Sequence, residues 1–194
     1  MKNSNLGKAA AFLSTNKGGK SVLAATLMQE GHSLLTDDIL AVEERGSNFL
    51  GRPGYPQMRM WPSEAEHFLG HYQDLEIVHP RYSKRRVPVG PDGLGSFHGD
   101  AAPLAILYLP HRLQSPTDIE IEPISPKNAV IELIRNSFSA RIVEALGLSM
   151  LRMSFFSRLA MRVPMRRLVY PSGFQHLPKV REAIIADLDE TDLR

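Results

Sequence analysis

The stretch "AAAFLSTNKGGKSVLAATLMQEGHSLLTDDILAVE", residues 9–43, decides how this chain is read. At its centre, Ser14-Thr-Asn-Lys-Gly-Gly-Lys-Ser21 keeps the spacing of the phosphate loop G-x-x-x-x-G-K-[ST], with Ser14 where the motif has Gly. The apolar run 9–13 before it predicts a short buried strand. After it, Val22, Leu23, Thr26 and Leu27 fall on one face of a helix over 20–30, which Gly31 is placed to end. A Gly-Gly-Lys-Ser turn also joins strands to helices without any ligand. The strand before it and the helix after it favour phosphate.

Each residue type has a separate chemical reason. Gly18 and Gly19 let consecutive backbone N–H groups turn inward as an anion nest. Lys20 reaches β- and γ-phosphates, and the Ser21 hydroxyl is a ligand for Mg²⁺. A helix beginning at Lys20 points its partial positive charge at the same anion. The first Gly of the motif mainly eases the chain out of the strand, so Ser14 leaves the phosphate contacts intact. The expected nucleotide-binding set is therefore Ser14, Thr15, Asn16, Lys17, Gly18, Gly19, Lys20, Ser21 and Val22.

Asp37-Asp38 strengthens this reading. Two adjacent carboxylates at the end of the apolar run 33–36 are costly unless a cation or a proton transfer uses them. A strand–helix–strand unit would bring them beside the loop, giving a metal-binding carboxylate and a second acid near a transferred phosphoryl group. Apart from the loop, an Asp-Asp pair would be read as a solvated turn.

The composition sets bounds on the rest. With 43% hydrophobic and 23% charged residues over 194 positions, the chain is an ordinary globular one with room for a sizeable core. A net charge of +2 does not imply a nucleic-acid partner, and the absence of cysteine excludes disulfides, thiolate metal sites and a cysteine nucleophile. No apolar run suits a signal peptide or a membrane span. The expectation is a soluble cytoplasmic protein with no membrane or nucleic-acid partner.

Further along, 39–42 reads as strand, and the Gly- and Pro-rich 46–62 and 80–103 read as loops or short strands. Ser63 and Glu66 form a capping-box pattern for a helix reaching about Leu69. Strands are expected at 104–109, 118–122 and 166–170. Ser125-Pro126 opens a helix through about Asn136, and further helices are expected over 139–146, 149–162 and 178–188. The whole is one α/β domain over residues 1–194 with a helical C-terminal third.

These residues resemble the HPr serine kinase/phosphorylase C-terminal domain and its shorter HPr-kinase-like relatives. The resemblance rests on Phe12-Leu13 entering the loop, Gly19-Lys20-Ser21, and Gly31-His-Ser-Leu-Leu-Thr-Asp-Asp38. "GYPQMRMWP" (54–62), Lys84-Arg85, the strand at 103–109 and "VPMRRLVYP" (163–171) add weaker matches. The resemblance implies a P-loop fold of the phosphoenolpyruvate-carboxykinase type: a mixed sheet with flanking helices. It also implies ATP-dependent phosphorylation of a hydroxyl, with ATP and Mg²⁺ as cofactors. By position, Lys20 holds the phosphates, Ser21 and Asp38 hold Mg²⁺, and Asp37 is the base. The family's upstream strand, which carries a His to the site, has no counterpart before this loop. A nucleotide-binding module without phosphotransfer is therefore the alternative. The acceptor, whether protein, peptide or small molecule, is not legible, and the resemblance leaves an oligomer open.

Arg59, Lys84 and Arg85 are the candidate contacts to phosphate or substrate. The basic cluster 82–86 and Arg59 also fit solvated positions. The histidines lack the mutual spacing of a metal site. The amphipathic 149–163 is read as a helix packing its apolar stripe on the sheet.

Overall fold

The structure is a computed structural model that describes residues 7–14, 18–115, 118–138 and 140–192. It begins with β1 (Ala9–Phe12) and α1 (Lys20–Met28), followed by β2 (Ser33–Leu34). A hairpin of β3 (Val42–Arg45) and β4 (Asn48–Gly51) leads to β5 (Gln57–Met60) and α2 (Pro62–Leu69). Then come β6 (Ile77–His79), β7 (Tyr82–Pro88), β8 (Ser96–Phe97) and the long β9 (Ala102–Leu113). After β10 (Glu120–Ile124) the chain is mostly helical: α3 (Pro126–Arg135), α4 (Ala140–Ala145) and α5 (Ser149–Arg162). Finally, β11 (Met165–Pro171) precedes a 3₁₀ turn at Phe174–His176 and α6 (Leu177–Asp192).

The architecture is mixed α/β. The largest sheet runs β10-β11-β9-β4-β3, with β1 also paired to β9. β1 and β11 run parallel to β9, whereas β4 and β10 pair antiparallel, so the sheet is mixed. Two smaller sheets, β2-β8 and β5-β7-β6, stand beside it. One apolar layer joins Ile106, Tyr108 and Tyr170 to Leu23 of α1 and to Val180 and Ile184 of α6. A second joins Leu104, Leu107 and Phe49 to Ala129 and Leu133 of α3 and Leu159 of α5. A third packs Met58, Met60 and Val87 against Ala25 and Met28 of α1 and Ala65 of α2. Helix α1 thus touches two of these layers, which fixes its N-terminus relative to β1 and to β5.

β9 runs past Leu109, the end of the strand expected from the sequence, and through Pro110. The hydrogen bonds explain why this proline is tolerated. Leu107 N–H donates to Pro164 O and Ser172 N–H to Leu113 O, so odd-numbered residues of β9 face β11. Tyr108 O accepts from Leu13 N–H, so even-numbered residues face β1. β1 ends opposite Tyr108, so among the described residues no strand pairs with Pro110 on the edge its missing N–H would face.

Two other expectations shift. Ile39–Ala41 lie outside any strand: Thr36 Oγ1 donates to Ile39 O and turns the chain, and pairing begins only at Val42. The helix cap forms at Trp61 rather than Ser63. Pro62 suits the first helical position, and Trp61 N–H donates to Glu64 Oε2 at 2.8 Å. Strand β10 lies two residues beyond its expected span. No helix among the described residues is long and apolar enough to cross a membrane.

Candidate active site

β1 delivers the chain to the loop, and α1 carries it away. Gly19 caps α1 with φ +80, a left-handed conformation that L side chains rarely adopt, and no side chain caps the helix. A Cβ at Gly19 would collide with the Tyr170 hydroxyl, which stands directly against the loop. Two independent constraints, torsion and space, thus require glycine here.

The Lys20 ammonium folds back over the loop, donating to Ser14 O at 2.8 Å and lying 3.4 Å from Ser14 Oγ. Its pKa is lowered by burial, against the opposing pull of Asp37 and Asp38 and with a further push from Lys84. Ser14 is thus a contact of the loop lysine as well as the exit from β1. Val22 is buried in the first turn of α1. Thr15, Asn16 and Lys17, the rest of the expected phosphate set, lie outside the described residues.

The two carboxylates diverge. Ser21 Oγ donates to Asp37 Oδ1 at 2.8 Å, and Arg59 N–H donates to Asp37 Oδ2 at 2.9 Å. Asp38 instead pairs with the Arg59 guanidinium at the surface. Burial raises the Asp37 pKa above the usual carboxylate range, outweighing the hydrogen bonds from Arg59 and Ser21; the charge of Asp38 pushes the same way. β5 is the element that makes this possible: one residue, Arg59, presents its amide to the first aspartate and its side chain to the second.

Lys84, on β7 beside β5, places its ammonium 5.4 Å from the centre of the Trp61 ring. Its charge also acts on Lys20, Asp37 and Glu64. Arg85 goes elsewhere: it donates to Leu75 O and its guanidinium lies over the Tyr72 ring, 5.7 Å from the centroid. Adjacent residues of a strand point to opposite faces, so the sheet brings Lys84 to the site and carries Arg85 away from it.

Three further groups here were not singled out from the sequence. Burial pushes the Tyr170 hydroxyl, at the edge of the loop, up to about 12; Arg112 opposes this and Glu64 adds to it. Glu64 is itself raised by burial, against Trp61 N–H and the charges of Lys84 and Arg112. Tyr170 was visible only as a strand residue, and Arg112 carried no signal, because β9 was expected to end before it.

The arrangement can bind an anion at the head of α1 beside Lys20. Ser21 and Asp37, in contact beside it, are the residues that could hold a hard cation. Mg²⁺ takes one or two carboxylates plus substrate phosphates rather than an all-protein cage. Among the described residues no cluster of three or more His, Asp or Glu could hold a metal alone. No family model, curated protein or solved structure matches the chain.

Proposed function

We propose that this chain is an ATP-dependent kinase of the HPr-kinase-like type, with the P-loop fold of that group. It would transfer the γ-phosphoryl group to a hydroxyl of a protein, peptide or small-molecule acceptor. The observation that carries the reading is the 2.8 Å bond from Ser21 Oγ to Asp37, joining the end of the loop to the Asp-Asp pair. A motif hydroxyl and an acidic residue that meet in space are what magnesium-dependent phosphoryl transfer uses.

Lys20 holds the phosphates in this reading, and bound Mg²⁺ supplies charge neutralisation between them. The resemblance assigns Asp38 to the metal and Asp37 to the base. The contact with Ser21 favours the exchanged allocation, and we adopt it: Asp37 stands on the metal side, and the exposed Asp38, oriented by Arg59, takes the acceptor's proton. As the acceptor oxygen bonds to the γ-phosphorus, its proton passes to the Asp38 carboxylate and the bond to the β-phosphate oxygen breaks, releasing ADP. Lys84 and Arg112 add positive charge around the transferred group.

A second reading, a nucleotide-binding module without transfer, has its own observation. Both Asp37 oxygens already accept hydrogen bonds and Asp38 is ion-paired, so neither carboxylate is uncommitted. Incubation with γ-labelled Mg-ATP and panels of hydroxyl-bearing peptides and metabolites separates the two. Label in an acceptor, or ATP turnover lost in Lys20→Ala, supports the kinase; tight Mg-ATP binding with neither result supports the module.

A further inference from the structure

Residues 149–163 are expected to lay an apolar stripe on the sheet, and α5 does so only with its second half. Leu159 and Ala160 are buried, and Phe155 and Phe156 partly so, in the layer shared with Phe49 and Leu133. The first half faces water. Of the thirteen large hydrophobic side chains exposed among the described residues, eight lie between 138 and 161. Residues 144–151 are exposed without interruption, and Met150 (80%), Leu151 (68%) and Leu146 (66%) stand largely clear of the protein. The tip 145–151, Ala-Leu-Gly-Leu-Ser-Met-Leu, has no charged residue. The outer side of a surface helix is ordinarily polar, and clustered exposed apolar side chains mark an interaction site.

The tip has a fixed backbone. α4 packs on α5, and Gly147, with φ +69, ends α4. Leu148 N–H donates to Val143 O and Gly147 N–H to Glu144 O, both at 2.9 Å, the paired bonds of a Schellman turn. Main-chain groups bonded in this way enter an apolar medium at little cost.

Charge selects the occupant. Between 135 and 167 the chain has seven arginines and one acid, Glu144, although its net charge is only +2. Arg158 and Arg162 share one carboxylate, that of Glu44, and Arg152 donates to the Ser137 hydroxyl. α5 has no acidic residue in its first turn, so the positive end of the helix adds to the same sign. Two copies of such a face repel each other. A folded protein partner would need a cavity shaped to a projecting tip, whereas the interface of a bilayer closes around one. Arginines beside apolar side chains are what an anionic lipid surface attracts.

We propose that the tip 145–151 and the first half of α5 bind the surface of anionic lipid membranes. Leu146, Leu148, Met150 and Leu151 enter the apolar boundary, and the arginines of α5 meet the headgroups. The contact does not depend on phosphoryl transfer.

The test is sedimentation of the full chain with vesicles of phosphatidylcholine, alone or mixed equally with phosphatidylglycerol. Binding to the mixed vesicles is expected, weakened by salt and much weaker with phosphatidylcholine alone. Leu148→Ser combined with Leu151→Gln should weaken it by about tenfold or more, since each leucine loses its transfer to the apolar boundary. Both positions are exposed and serine is a favoured helix cap, so circular dichroism should show an unchanged fold. No binding to the mixed vesicles by the folded chain overturns the proposal and leaves a protein partner for the tip. Binding that the double variant retains in full, or equal binding to both vesicles, overturns it too. So does self-association of the chain without vesicles that the double variant loses, because a second copy is then the occupant.

Discussion

Two carboxylates in this molecule each accept a hydrogen bond from a hydroxyl, and they are treated in opposite ways. Asp187 on α6 is buried; it accepts from the Tyr108 hydroxyl at 2.6 Å and is paired with the Arg166 guanidinium, which also reaches Thr191. Asp37 accepts from Ser21 and from a backbone amide, and the nearest guanidinium, that of Arg59, goes to Asp38 instead. The first carboxylate has its charge matched by a cation, and it ties β9, β11 and α6 together. The second accepts hydrogen bonds from dipoles only, with the charges of Lys84 and Lys20 acting on it from further off, and burial raises its pKa. A carboxylate with no ion pair of its own beside a glycine-capped helix N-terminus could receive a cation from outside.

The sharpest way to break this comparison is kinetic. Asp38→Asn should leave Mg-ATP affinity nearly unchanged and slow transfer by about 10²–10⁴-fold, the usual contribution of a positioned base. Asp37→Asn should instead weaken Mg²⁺-dependent nucleotide binding, because a neutral amide is a poor ligand for a hard cation. Titration calorimetry and label transfer on both variants decide between this allocation and its reverse. A result with the two variants exchanged would restore Asp38 to the metal and Asp37 to the base.

Stability gives the next largest effect. Asp187→Ala leaves the partly buried Arg166 beside Tyr108 with no counter-charge, and breaking a buried pair costs about 3–5 kcal/mol, an upper bound for this one. Denaturant unfolding should show that loss, whereas Asp37→Ala should not destabilise comparably. Equal losses at the two positions would end the distinction between a structural and a functional aspartate.

Gly19→Ala should cost about 1–3 kcal/mol from its left-handed torsion, with the Tyr170 hydroxyl adding a collision. Adding Tyr170→Phe to it should recover only the part due to the collision, a difference readable in melting curves.

Acidity gives the smallest effect. A carboxyl whose pKa is raised by folding favours the folded state below its unfolded pKa, and this contribution is lost as pH rises through the folded value. For Asp37 the window begins near the ordinary value of 3.8 and extends upward. Relative to Asp37→Asn, the parent should therefore lose stability as pH climbs out of the acid range. Parallel stability–pH curves for the two would mean that Asp37 does not titrate as a buried acid.

Much of this frame was legible in the sequence, for local reasons. Residues 9–43 carry strand, loop, helix and Asp-Asp pair in one continuous run, and α1, α3 and α5 follow from periodicity and from Pro126. What was illegible depends on contacts between distant segments. Pro110 argues against a strand until β1 is known to end opposite Tyr108. The alternation of β7 decides between Lys84 and Arg85, but only once β5 has paired with it. Arg59 was one candidate cation among several; its double role toward Asp37 and Asp38 depends on how β5 is placed. Tyr170 reaches the loop from the other end of the chain, and no local pattern announces that.

The central claim is that the loop at 14–21 and Asp37 form a site for a magnesium-bound nucleotide. Its most direct test is calorimetric titration of the folded full chain with ATP, with and without Mg²⁺, repeated on Lys20→Ala. The account predicts saturable binding by the parent that strengthens with Mg²⁺ and is lost in the variant. Equal binding by parent and variant, or no binding by a chain verified as folded, would contradict it.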